Sequence, residues 1–310
     1  MSNIYLNEGS YGCVIKPGIK CKKNIKKNTV SKFFSNKKAW LYEINNNKII
    51  NKILKKENIV KLIDYCSKIK KEKILIQKCK SINMKKKYLY NIIYEYAGID
   101  LFNLKNIKFK KIFLKFNIIL ETIKLLSDNN YIHFDVRLPN IVYNKNKLKL
   151  IDYGLMKNKK EINKLIKKIK KYKIYYLPPE FNNLNLNDLY IHIINDLKYN
   201  KISKNKKKHM KSIINFLFKN IKKNIKNNAI NTKKIDVYMI GIVLLELLIK
   251  NNLDLLDNEY KLILNYIKKL IEPDTYKRYD INEAYIAYKK LIIFIKKKHP
   301  LRGSNSQPLA

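Results

Sequence analysis

Between Tyr131 and Gly154 the chain reads YIHFDVRLPNIVYNKNKLKLIDYG. This stretch holds Asp135, an Asn at 140, and, beyond an apolar run, Asp152 followed by Tyr153 and Gly154. If the intervening residues form a hairpin, the three oxygen-bearing side chains converge near one point. Hard cations such as Mg²⁺ take oxygen ligands and usually share them with substrate phosphates. The cluster therefore points to magnesium and a phosphorylated substrate, and it requires a fold that presents a loop, a hairpin and a turn together.

The rest of the chain supplies such a fold. Its 310 residues, 46% of them hydrophobic, are enough for one large domain or two lobes with a real core, which excludes disorder throughout. The opening IYLNEGSYGCVIKPGI alternates in polarity and carries glycines, so a strand, a tight turn and a second strand are expected. A third strand is expected at NTVSKFF. The spacing of Trp40, Leu41, Ile44, Ile49, Ile50, Ile53 and Leu54 then predicts an amphipathic helix across about 36–57. Short β-rich runs follow at NIVKLIDYC, KILIQKC and YNIIYEYAG. From about residue 105 helical patterns dominate, with one helix expected over FKKIFLKFNIILETIKLLSDNN. A β-rich part followed by a helical part predicts an α+β, two-lobed protein with a ligand cleft between the lobes. Residues 156–172 and about 182–234 are rich in Lys and Asn and read as surface segments or insertions. The final residues, LRGSNSQPLA, change composition abruptly and read as a disordered tail, native to the domain or foreign to it.

Charge is the loudest compositional feature, with 67 Lys and Arg against 24 Asp and Glu, a formal net of +43. Such a field attracts nucleic acid, acidic proteins or an anionic membrane surface. The basic residues are overwhelmingly Lys, however, and travel with Asn, Ile and Tyr, all served by A/T-rich codons, so the charge also reads as a coding bias. No long apolar run predicts a membrane span and no signal peptide is evident, so a soluble cytoplasmic protein is expected. Cys13, Cys21, Cys66 and Cys79 lack CxxC spacing, which argues against zinc or a disulfide framework and for small buried side chains in a reducing compartment.

The sequence HFDVRLPN followed by DYG resembles the catalytic loop and metal-binding motif of the eukaryotic protein-kinase superfamily. The resemblance implies that Asp135 accepts the proton of a substrate hydroxyl, that Asn140 and Asp152 hold magnesium, and that His133 buttresses the loop. Upstream, LNEGSYGCV is similar to the glycine-rich loop, though it also reads as an ordinary hairpin. On the family reading Leu6, Asn7, Glu8, Gly9, Ser10, Tyr11, Gly12, Cys13 and Val14 form the phosphate-covering segment. Lys32 in VSKFF takes the place of the lysine that pairs the phosphates. Glu43 takes the place of its helix partner, with a solvated helix charge as the alternative. IIYEYAG resembles the hinge, with Tyr94 at the gatekeeper position and the backbone of Glu95 and Ala97 facing adenine. Val14, Val30 and Val142 sandwich the base on this reading, and are equally compatible with plain core.

Downstream, Pro178-Pro179-Glu180 resembles the Ala-Pro-Glu motif, DVYMIGIVLLELL the central helix of the large lobe, and Arg278 the buried partner of Glu180. The resemblance runs from residue 6 to about 290 and implies a kinase domain over 1–299. Within it, 1–95 would be the small lobe, 96–98 the hinge and 99–299 the large lobe. It also implies ATP and Mg²⁺ as cofactors and proteins as substrates.

Several positions depart from the pattern. Asn7 stands at the first loop glycine. Phe134 replaces the arginine that reads a phosphorylated loop, which fits a kinase independent of that modification. Arg137 replaces the Lys typical of Ser/Thr kinases and still suits the γ-phosphate. Lys173 replaces a Thr of the substrate side. The composition and EGSYGCVIKP are similar to kinases of large DNA viruses, acting in a host cell or virion. Ser/Thr phosphorylation is the favoured activity. A small-molecule phosphotransferase and a catalytically dead basic scaffold for nucleic acid or acidic proteins are the rivals.

Overall fold

A computed structural model describes residues 4–9, 12–21, 28–70, 79, 82, 87–105, 108–162, 176–181, 208, 211–213, 231–251 and 258–298. The expected strand at KILIQKC falls almost wholly outside these residues, as do Ser10, Tyr11, Lys173, most of 163–230 and the tail. The chain divides into two compact units, Met1–Asn103 with Pro139–Met156, and Leu104–Leu138 with Lys157–Ala310.

The first unit is built on an antiparallel sheet of order β1-β2-β3-β5-β4. Its strands are β1 (Ile4–Gly9), β2 (Gly12–Lys16), β3 (Thr29–Phe34), β4 (Leu62–Lys70) and β5 (Tyr88–Glu95). The period-two alternation of side chains assigns each face. Cys13, Ile15, Phe33 and Leu89 enter one core cluster with Cys79 and Ile82. Phe34 and Ile92 enter the other with Trp40 and Ile44 of helix α1 (Lys37–Ile53). The Asn36 side chain caps α1 by accepting from the backbone N–H of Lys38 and Ala39, an arrangement that contributes about 1 kcal/mol in typical hosts. A second sheet, β6-β8-β9, joins Ile99–Asp100 to the hairpin formed by β8 (Ile141–Asn144) and β9 (Lys147–Leu150). Lys145 and Asn146 both take positive φ in its two-residue turn, the geometry that matches strand twist.

The cysteines correct the expectation drawn from their spacing. Cys13 is bridged to Cys79 and Cys21 to Cys66, with Cα separations of 6.1 and 5.7 Å, and no described cysteine is free. The partners lie 66 and 45 residues apart in sequence, so tertiary packing brings them together. Disulfides persist in oxidising surroundings, and cysteine usage therefore gives no support to a reducing compartment. Each bridge closes a long loop, and reduction should cost about 2–4 kcal/mol apiece. Trp40, the single tryptophan, reports on this unit. Its fluorescence in a urea titration should show a lower midpoint with dithiothreitol; coincident curves would contradict the pairing.

The second unit is mainly helical: α2 (Phe109–Phe113), α3 (Asn117–Asp128), α4 (Ile235–Lys250), α5 (Asn258–Leu270) and α6 (Ile281–Lys298), with β7 (Tyr131–Ile132) paired to β10 (Lys157–Asn158). The helix expected across 109–130 is broken. Lys115 and Phe116 make tight i→i−3 bonds to Ile112 and Phe113, which turns both Phe113 and Phe116 into the core. Local bonding satisfies either path, and burial of the two rings selects the broken one. Helix α4 is buried at every position from Ile235 to Ile249, as its almost unbroken apolar composition requires. Gly241 lets it approach the end of α5, since a Cβ there would stand 2.4 Å from Ile271 Cγ2. Among the described residues, no helix is long and apolar enough to cross a membrane.

Candidate active site

Strand register in the first unit places several singled-out residues on one face. Val14 pairs with Lys32, Lys32 with Ile92, and Val30 with Tyr94, so these side chains lie on the sheet face that carries α1. Lys32 is buried there and donates to two carboxylates: Nζ stands 2.7 Å from Glu43 Oε2 and 2.9 Å from Asp152 Oδ1. The side chains of Lys32 and Glu43 are 10% and 4% exposed, whereas that of Asp152 is 30% exposed and open to a ligand. Burial opposes the Lys32 charge, but the two carboxylates outweigh it and hold its pKa above the ordinary lysine value. Burial raises the Glu43 carboxyl, against the pull of Lys32. The direction that governs the pair is that of Lys32, an ammonium held between two oxygen acids.

Asn140 and Asp152 flank the β8–β9 hairpin at its open end, where Ile151 N–H donates to the Asn140 carbonyl at 2.9 Å. Asp152 takes a left-handed backbone at φ 60, and its Oδ1 also accepts from Gly154 N–H. A carboxylate and a carboxamide are hard oxygen donors. Mg²⁺ commonly takes one or two carboxylates and completes its shell with water and phosphate. The donor types of the pair suit that ion. Among the described residues there is no cluster of three or more His, Cys, Asp and Glu that could hold a metal.

At the N-terminal hairpin, Glu8 pairs with Cys13 and Gly9 with Gly12, and Leu6 lies in an irregularity of the β1–β2 register. Gly12 has a structural reason to be glycine: a Cβ would lie 1.8 Å from the Phe33 carbonyl oxygen of the neighbouring strand. Glu95 N–H donates to the Lys61 carbonyl, and the Glu95 side chain pairs with Lys149 at 3.1 Å. Ala97 is half-buried beyond it, and Val142 is buried on β8.

The second unit carries Asp135 and Arg137. Buried Asp236 at the start of α4 accepts from His133 N–H at 2.8 Å and from Phe134 N–H at 2.9 Å. Phe134 takes φ 65 and packs edge-on against Phe181, so the position that the family gives to arginine is an apolar anchor here. His133 Nδ1 accepts from Asp135 N–H at 3.2 Å, which sets the backbone that presents Asp135. The Tyr176 hydroxyl is hydrogen-bonded to Asp135 and Arg137. Burial first and the Asp135 charge second push it up to about 12, so it stays protonated. Glu180 and Arg278 meet through two parallel bonds, Nη1 to Oε1 at 2.7 Å and Nη2 to Oε2 at 2.9 Å.

Burial pushes the Asp236 carboxyl from 3.8 up to about 6, against the opposing pull of its two backbone donors and of Lys159. The native state therefore holds this proton to higher pH than the unfolded chain. Its contribution to stability is complete below about pH 4 and is lost as pH rises through about 6. Relative to Asp236→Asn, the unfolding free energy of the wild type should fall by on the order of 3 kcal/mol between pH 4 and 7. A difference that does not vary with pH would contradict this.

Sequence reasoning missed Tyr176 and the polar side of α1, where Asn46 and Asn47 are buried beside Glu43. Their spacing of three and four from Glu43 placed them on its face, a signal that a search for apolar periodicity passes over. No curated protein matches the chain. A family model described as protein tyrosine and serine/threonine kinase matches residues 2–189, more than half of the sequence, and the chain belongs to that family.

Proposed function

We propose that the protein transfers the γ-phosphoryl group of ATP to Ser or Thr hydroxyls of protein substrates. The observation that carries this reading is Lys32 fixed between Glu43 and Asp152, a buried cation beside a carboxylate with exposed surface. In this reading Lys32 donates to the α- and β-phosphates while Glu43 keeps its ammonium from rotating away. Val14, Val30 and Val142 cover the adenine, which meets the backbone of Glu95 and Ala97, and residues Leu6 to Val14 close over the phosphates. Asn140 and Asp152 hold Mg²⁺, which, when bound, neutralises charge on the phosphate oxygens. Asp135 accepts the proton of the substrate hydroxyl and Arg137 faces the γ-phosphate; positioning and charge stabilisation supply the remaining acceleration. Arg137 departs from the Ser/Thr-type lysine but still suits the γ-phosphate; Ser and Thr are favoured over Tyr because HFDVRLPN is not the tyrosine-kinase form of the loop.

The test is transfer of radiolabelled γ-phosphate, with Mg²⁺, to a basic protein, an acidic protein and the kinase itself. Label on Ser or Thr should appear with the intact chain and fall to background in Asp152→Ala. The +43 charge favours a second reading, a basic scaffold that binds nucleic acid without turnover. Steeply salt-dependent binding of nucleic acid, with no label on any acceptor, would select it.

A further inference from the structure

Glu43 offers two oxygens to its surroundings, and Lys32 occupies only Oε2. The other, Oε1, accepts from the Tyr94 hydroxyl of β5 at 2.9 Å. That hydroxyl in turn accepts from Asn47 Nδ2 at 2.9 Å, and the same Nδ2 donates to the Glu43 carbonyl at 3.1 Å. The directions follow from chemistry, because an amide nitrogen only donates and an ionised carboxylate only accepts. A continuous relay therefore runs from Asn47 through Tyr94 and Glu43 to Lys32 and Asp152.

The same helix reaches the chain that follows β9. Asn46 Nδ2 donates to the Tyr153 carbonyl at 2.6 Å, and the Tyr42 hydroxyl donates to the Met156 carbonyl at 2.6 Å. Thus α1 is bound by uncharged side chains both to β5 and to the segment that presents Asp152. A carboxylate held by a single ammonium swings about its own bonds. One held at both oxygens, by donors on two different elements, is oriented before any ligand arrives.

We propose that Tyr94, backed by Asn47, is a positioning residue that fixes the Glu43 carboxylate on Lys32 and so presets the lysine for the phosphates of ATP. This deepens the kinase reading and rests on it. The relay needs no phosphorylated side chain, which agrees with Phe134 standing buried where a phosphate-reading arginine is expected. Burial raises the Tyr94 hydroxyl pKa well above its ordinary value, so it remains a donor across the working pH range.

Tyr94→Phe removes only the hydroxyl and keeps the ring in place. It should lower kcat/KM for ATP roughly 10-fold, in the range of a hydrogen bond to a charged group. KM for the protein acceptor should stay unchanged. A double-mutant cycle separates positioning from packing: in a Glu43→Gln background, Tyr94→Phe should have little further effect. Asn47→Ala should give a smaller loss of the same kind. Equal kcat/KM in wild type and Tyr94→Phe overturns the proposal, as does full additivity with Glu43→Gln.

Equilibrium affinity for ATP, measured on the same four proteins, keeps this test apart from the kinase reading. A wild-type chain that binds ATP but transfers no phosphate defeats that reading, and the coupling between Tyr94 and Glu43 in ATP affinity then decides the relay. Coupled losses of affinity support the relay, and independent or absent losses reject it.

Discussion

Asp135→Asn should slow phosphoryl transfer by roughly 10²–10⁴, the range that general-base assistance supplies, while ATP affinity and the melting temperature stay near wild type. The substitution keeps the shape of the side chain and removes the group able to accept a proton. The loop around it is held by other atoms: Asp236 accepts from His133 and Phe134, and His133 accepts from the Asp135 backbone N–H. None of these bonds uses the Asp135 carboxylate, so the loop should retain its form. The kinetic split is the diagnostic result. A fall in kcat at constant KM for ATP places the loss in the chemical step. Undiminished turnover in Asp135→Asn would remove Asp135 from the mechanism and with it the assignment carried over from HFD.

The second large effect is on stability. Arg278→Leu should destabilise the protein by about 3–5 kcal/mol, because it leaves the Glu180 carboxylate buried without its counter-charge. The pair is sequestered, with side-chain exposures of 0% for Arg278 and 1% for Glu180. The guanidinium is bound further through Nε to the Glu272 carbonyl and stacks over Tyr238. A loss of that size consumes much of the 5–15 kcal/mol that separates folded from unfolded states in ordinary domains. Replacing both residues with apolar ones should cost less than the sum of the single changes, since no lone buried charge remains. Denaturant unfolding followed by circular dichroism of Arg278→Leu, Glu180→Leu and the double variant tests this. Single-variant losses below about 1 kcal/mol would mean that the carboxylate finds water or another partner.

Much of the fold was legible. The glycines and alternation of residues 4–16 anticipated β1 and β2, and the apolar spacing after Asn36 anticipated α1 to within a few residues at its end. The hairpin read between Asn140 and Asp152 exists, and it brings those two residues to the same end of the unit. Lys32 was singled out among many lysines by its place between a glycine hairpin and a helix, and the structure sets it against both Glu43 and Asp152. Local signals sufficed here because turns, caps and side-chain alternation are properties of adjacent residues.

Other features were not legible. Leu41, counted with the apolar face of α1, is exposed, while Glu43, Asn46 and Asn47 are buried. A polar residue is buried when a distant partner satisfies it, and those partners, Tyr94 and Tyr153, lie 51 and 107 residues away from Glu43 and Asn46. The disulfides escaped notice for the same reason, as did the contact of Tyr176 with Asp135 and Arg137. The break between α2 and α3 carries no Pro or Gly to announce it, and only the burial of Phe113 and Phe116 decides it.

The sequence by itself therefore determined the first strands and α1, the hairpin turns, and which residue types stand at the positions singled out for phosphate and metal. Tertiary structure alone decided which polar groups answer one another: Tyr94 on Glu43, Asn46 on Tyr153, Cys13 on Cys79, Glu180 on Arg278. The physical reason is range. Backbone propensity acts between neighbours in the chain, whereas a buried hydrogen bond or ion pair forms between any two groups that packing brings within about 3 Å, whatever their separation in sequence.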